Sequence, residues 1–169
     1  MKTKKLVYCG LFSAIIGIMA LISIPFQPVP LNMALVAVIF AGGMLGKKYG
    51  TLSVIVYILL GAVGVPVFAG FRGGFGVIAG PTGGYIAGYI IVAFLTGLIY
   101  EKTRKIKYTV PLMLVAVLIC YALGTTWYCY VMKSDVWSAL ALCVFPFVFV
   151  DMIKIVLSAL FLKRNTSRF

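Results

Sequence analysis

The sequence has no histidine, and Asp and Glu together number only three in 169 residues. General acid–base catalysis needs positioned proton donors and acceptors, most often imidazoles or paired carboxylates. A Ser-His-Asp or Cys-His set, a zinc-protease helix and a carboxylate pair on one helix face are therefore excluded, and no enzyme activity is expected. Cysteine is also scarce: the four present form no Cys-x-x-Cys and have no histidine to join them. That argues against zinc and against a disulfide framework. Cys9, Cys120 and Cys143 lie within or beside apolar runs and Cys129 near the outer end of the fifth, so all four read as small packing residues. Nucleotide motifs are missing as well. Ala41 to Lys48 lacks the first glycine and the Ser or Thr of a Walker A loop, and Gly74-Phe75-Gly76-Val77-Ile78-Ala79 follows no strand. No cofactor is expected, and any ATP-driven work falls to a partner.

What the chain has in excess is apolar length. Hydrophobic residues make up 63% of it, charged residues 11%, and the mean hydropathy is +1.14. These values describe an integral membrane protein. One crossing takes about 20 apolar residues, so the chain accommodates six helices, neither a twelve-helix permease nor a fused ATPase domain. The expected spans are about 6–24, 31–46, 51–68, 84–101, 109–132 and 137–162, in one membrane domain over residues 1–169. Leu6 to Ile24 is long for a signal-peptide core and is followed by no small-residue cleavage site, so it is read as the first span.

The net charge of +12 would suggest nucleic acid in a soluble chain, but the positions of the charges do not. They cluster at Lys2, Lys4 and Lys5, at Lys47 and Lys48, at Lys102, Arg104, Lys105 and Lys107, and at Lys163, Arg164 and Arg168. These are alternate gaps between apolar runs, whereas the intervening gaps hold only Arg72 and Lys133. The positive-inside rule then places both termini in the cytoplasm. Pro25, Pro28 and Pro30 end the first helix and force an extended outer connection, and Gly46 to Gly50 forms a tight cytoplasmic turn. Between the third and fourth helices, Ala69 to Gly84 holds seven glycines in sixteen residues. This outer loop also carries Phe71, Phe75, Val77 and Ile78, which argues for a loop packed back on the helices, its glycines letting the backbone approach a ligand or a neighbour. No long internal repeat is evident.

Asp151 and Lys154 stand inside the sixth apolar run. Counting from Leu162, Asp151 lies roughly 16 Å deep at 1.5 Å per residue, near the bilayer middle. Each charge there costs about 2.5–3.5 kcal/mol on insertion scales, so both must face protein or a polar cavity. A spacing of three sets them on one helix face, where they can pair. Such a pair either holds helices together or builds a ligand site. Arg72, outside against the charge trend, is either a solvated loop residue or a guanidinium that grips a carboxylate. Trp127 and Trp137 flank the next outer connection, and for Trp137 an interfacial anchor competes with a ligand contact. Small residues recur at Gly10, Ala14 and Gly17, at Gly42 and Gly46, and at Gly80, Gly84 and Gly88. These spacings let helix backbones approach closely, in internal packing or, on the terminal helix, against another subunit.

Three blocks give the chain a family resemblance: Pro28-Val29-Pro30 with Leu45-Gly46; Gly73-Gly74 followed by Gly80-Pro81-Thr82-Gly83-Gly84-Tyr85; and Pro146-Phe147 followed by Asp151 and Lys154. Over nearly its whole length the sequence resembles the biotin-specific S components, the BioY family, of energy-coupling factor (ECF) transporters. The resemblance implies a six-helix subunit of a prokaryotic plasma membrane that captures biotin from outside. Energy would come from a separate transmembrane coupling subunit and paired ATPases. It implies that Arg72, Tyr85, Asp151 and Lys154 line the biotin site; it also implies a membrane partner, for which the spacing of Gly10, Ala14 and Gly17 offers a docking stripe, with internal packing as the alternative. Two places depart from the family: Asn32 and Ala34 stand where Thr and Gln are frequent, and Phe149-Val150 where Pro-Gly is frequent, so a less broken sixth helix is expected. Biotin offers two ureido N–H donors, a carbonyl, an apolar thioether ring and a carboxylate. Asp151 can accept an N–H, Lys154 can neutralise Asp151 and donate to a carbonyl or carboxylate, and Arg72 can hold a carboxylate. An S component for another vitamin and a self-sufficient carrier remain the alternatives.

Overall fold

The computed structural model describes residues 2–25, 29–103 and 105–165; Pro28, Arg104 and Arg168, singled out above, lie outside them. Apolar runs become helices because a backbone in lipid must satisfy its own N–H and C=O groups. Among the described residues, four helices are long and apolar enough to cross a membrane, over Thr3–Leu21, Gly83–Lys102, Ile106–Met132 and Phe145–Arg164. The element order is α1 (Lys2–Leu21), β1 (Ser23–Ile24), β2 (Leu31–Asn32), α2 (Ala34–Ala62), α3 (Phe75–Ala79), α4 (Gly83–Lys102), α5 (Ile106–Met132), α6 (Val136–Cys143) and α7 (Phe145–Asn165). Helix α2 packs between α1 and α4, α5 flanks α4, and α7 closes against α2 and α5.

The described parts of the connection after α1 pair with each other: β1 and β2 run antiparallel with Ser23 opposite Asn32. The expected turn at 46–50 is far shorter than five residues. Gly46 alone leaves helical geometry, at φ 77° and ψ 173°, and the helix resumes at once. Only glycine adopts this conformation without strain. Glu101 of α4 stabilises the corner, accepting the Lys47 N–H at 3.1 Å and pairing with the Lys47 ammonium at 3.3 Å. A carboxylate at the N-terminus of the second half of α2 meets free N–H groups and the positive end of the helix dipole.

The third apolar run leaves the helix at Ala62, six residues before the expected end. The chain then doubles back: Phe68 and Arg72 exchange backbone hydrogen bonds of 2.9 and 3.3 Å, and the Gly74 N–H reaches the Gly61 carbonyl at 2.6 Å. Phe68 is buried edge-on against Tyr57, with ring centroids 5.5 Å apart. The glycine-rich segment also contains the short helix α3, local order that its composition did not announce. Close approach of α4 and α5 is set by glycine, since a Cβ on Gly88 would stand 2.5 Å from the Cys120 sulfur. The sixth run divides at Val144 (φ −123°, ψ −56°) into α6 and α7. Pro146 sits in the first turn of α7, where a missing N–H costs nothing. The helix is thus unbroken through Phe149, Val150 and Asp151 but interrupted two turns earlier, inside the single span expected over 137–162.

Candidate ligand-binding site

A cavity of about 90 Å³ lies among α2, α4, α5, α6 and α7, the segment leading to Asn32 and the doubled-back loop. Arg72, Tyr85, Asp151 and Lys154 all border it. Residues 79 positions apart in sequence, Arg72 and Asp151, therefore share one space. Asp151 and Lys154 are buried, at 7% and 6% exposure. The Lys154 ammonium donates to Asp151 Oδ1 at 2.8 Å and to the Asn32 carbonyl at 2.8 Å. Tyr121 of α5 donates its hydroxyl to Asp151 Oδ2 at 2.5 Å. Both carboxylate oxygens thus hold a partner, as a buried charge requires.

The network reaches further. Asn32 Oδ1 accepts the N–H of Ala34, the first residue of α2, at 3.1 Å, and the Tyr89 hydroxyl at 3.3 Å. Tyr89 borders the cavity one helical turn beyond Tyr85. The Tyr85 hydroxyl is 3.1 Å from Thr125 Oγ1, which leaves its ring to form apolar wall. Arg72 is exposed and stands at the mouth, on backbone fixed by the exchange with Phe68. Among the described residues it forms no ion pair, and no cluster of His, Cys, Asp or Glu could hold a metal.

A family model described as the BioY family matches residues 1–169. The chain belongs to the BioY family. It is 42% identical to the biotin transporter BioY of Thermotoga maritima, over 95% of each chain. Identity to the probable biotin transporter BioY of Pyrococcus horikoshii is 39%, over 97% of each. The fold resembles the crystal structure of the S component for biotin from an ECF-type ABC transporter, with a TM-score of 0.90 and 29% identity over 99% of this chain and 93% of that one.

Three polar residues of this BioY-family cavity were not singled out from the sequence as site residues: Tyr89, Tyr121 and the carbonyl-bearing Asn32. Tyr89 had a signal, its four-residue spacing from Tyr85. Tyr121 had none, because a tyrosine in an apolar helix says nothing of which carboxylate it will meet. The small-residue stripe of α1 divides. Gly10 and Ala14 are exposed, and a Cβ on Gly10 would meet nothing within 4 Å. Gly17 is buried, where a Cβ would stand 3.3 Å from Val67. It therefore belongs to internal packing, a correction that follows from the loop returning over α1. Trp127 holds the loop's far end, donating its indole N–H to the Gly80 carbonyl at 2.9 Å, while Trp137 is 75% exposed on α6.

Proposed function

We propose that this protein is the membrane-embedded S component of an ATP-driven ECF transporter and that its cavity captures biotin. The observation that carries this reading is the buried Asp151–Lys154 pair at one end of a mostly apolar cavity with the Arg72 guanidinium at its mouth. Biotin has the matching order of groups: a ureido end that both donates and accepts, an apolar ring system, and a carboxylate on a chain. In the bound arrangement the ureido group meets Asp151 and Lys154, the ring lies against Tyr85 and its neighbours, and the carboxylate meets Arg72. In this reading the six crossings are α1, the two halves of α2, α4, α5, and α6 with α7. Both termini are cytoplasmic and the glycine-rich loop is outside, in keeping with the distribution of Lys and Arg. A transmembrane coupling subunit and paired ATPases supply the energy, for this chain has no nucleotide motif of its own.

Equilibrium binding of labelled biotin to the purified protein tests the reading, with thiamine and riboflavin as competitors. Biotin alone should compete. Displacement by another vitamin, with no binding of biotin, would turn the reading toward a different S component. Arg72→Ala should weaken biotin binding more than binding of the biotin amide, since only the acid offers a carboxylate. Equal losses would remove Arg72 from that role. The loop at 69–84 closes over bound ligand, its glycines allowing movement and its Phe68 anchor limiting it. Biotin should therefore slow amide hydrogen exchange in 69–84, and unchanged exchange would count against a lid.

A further inference from the structure

We propose that the Asp151–Lys154 pair is a charge filter, which makes the polar floor neutral overall and selects a neutral cyclic urea over a cationic guanidine analogue of the same shape. The inference rests on biotin being the ligand and asks how its ureido group is told from a near copy. Among the described residues, Asp151 is the one carboxylate bordering the cavity, and Lys154 lies 2.8 Å from it. A buried carboxylate without that neighbour would attract a guanidinium, which matches it with two parallel N–H groups. With the ammonium in place, a second cation would be desolvated beside a like charge and gain little from a carboxylate already neutralised.

Hydrogen-bond inventory points the same way. An ammonium has three N–H donors, and Lys154 uses two of them, on Asp151 and on the Asn32 carbonyl. A carboxylate has about four acceptor directions, of which Lys154 and Tyr121 take two. The floor therefore offers a donor and an acceptor side by side, the complement of a urea edge with its adjacent C=O and N–H. In 2-iminobiotin the carbonyl is replaced by a protonated imine at neutral pH, which puts a donor where Lys154 also donates. Specificity arises here from the repelled alternative as much as from the attracted one.

The test is displacement of labelled biotin by unlabelled biotin and by 2-iminobiotin at neutral pH, on the wild-type protein and two variants. Wild type should prefer biotin by at least tenfold. Lys154→Met should shrink that ratio at least tenfold, because the carboxylate is released toward the cation, while Asp151→Asn should widen it, because an unpaired ammonium remains. Changes of opposite sign cannot come from a general loosening of the site. A ratio unchanged in Lys154→Met, or one that Asp151→Asn narrows, overturns the filter. Should Lys154→Met fail to purify, the direction of change in Asp151→Asn decides. Wild-type protein that binds neither compound would refute the biotin reading itself, a result distinct from binding without selectivity.

Discussion

Asp151→Asn is expected to weaken biotin binding at least tenfold, about 1.4 kcal/mol, while the protein still inserts and purifies. The carboxylate accepts from Tyr121 and from Lys154 and has acceptor directions left for a ligand. An amide in its place offers one acceptor oxygen and turns two N–H donors toward donors. Lys154→Met should lose affinity too, by removing the donor to the ligand carbonyl and leaving a buried carboxylate unpaired. Tyr121→Phe should cost less, about 0.5–1.5 kcal/mol, because it removes one hydrogen bond and keeps the ion pair. Isothermal titration of the three purified proteins measures the series. Unchanged affinity in both Asp151→Asn and Lys154→Met would sink the assignment of the floor. Loss of expression in both would favour an ion pair whose work is to tie α7 to the strand at Asn32.

The second large effect concerns uptake rather than binding. Gly10→Trp or Ala14→Trp should abolish biotin uptake in cells carrying the coupling subunit and ATPases, yet leave binding to the isolated protein intact. Between helices in lipid, close backbone approach is the main attraction that lipid does not already supply. Gly10 and Ala14 are exposed, spaced by four, and stand on a helix whose opposite side is buried by Phe12 and Ile16. A tryptophan there obstructs a partner without touching the core. Gly17→Trp provides the contrast, since its position faces Val67 and Tyr57; stability and binding should fall together in that variant. If Gly10→Trp behaves like Gly17→Trp, or if uptake survives it, the docking face lies elsewhere.

Features written in contiguous residues were legible in the sequence. Apolar length announced the helices, and a spacing of three announced the Asp151–Lys154 pair, since helix geometry alone brings such residues together. Features that depend on residues far apart were not. The single-residue corner at Gly46 is held by Glu101, 54 positions from Lys47, and seated on the glycine at position 97. Tyr121 meets Asp151 across 30 positions, and nothing local distinguishes it from the other tyrosines of its helix. The returning loop, which buries Gly17 under Val67, turned one residue of a regular stripe inward. The helix is continuous beside the aspartate, where Phe149-Val150 stands for the family's Pro-Gly, and the break falls at Val144, before the proline, where no residue of that comparison lies.

The corner at Gly46 has a consequence for anyone attaching a reporter to this molecule. A connection of one residue, capped by a carboxylate from another helix and seated against the glycine at position 97, has no slack. An epitope or fluorophore inserted there must first pull the two halves of α2 apart. The link from Lys133 to Asp135 is different: Lys133 has a left-handed backbone, Asp135 caps α6 through the Trp137 N–H at 3.0 Å, and both are exposed. Two junctions of similar appearance in a topology diagram thus differ in kind, one a fused joint and the other a seam where foreign chain can be let in.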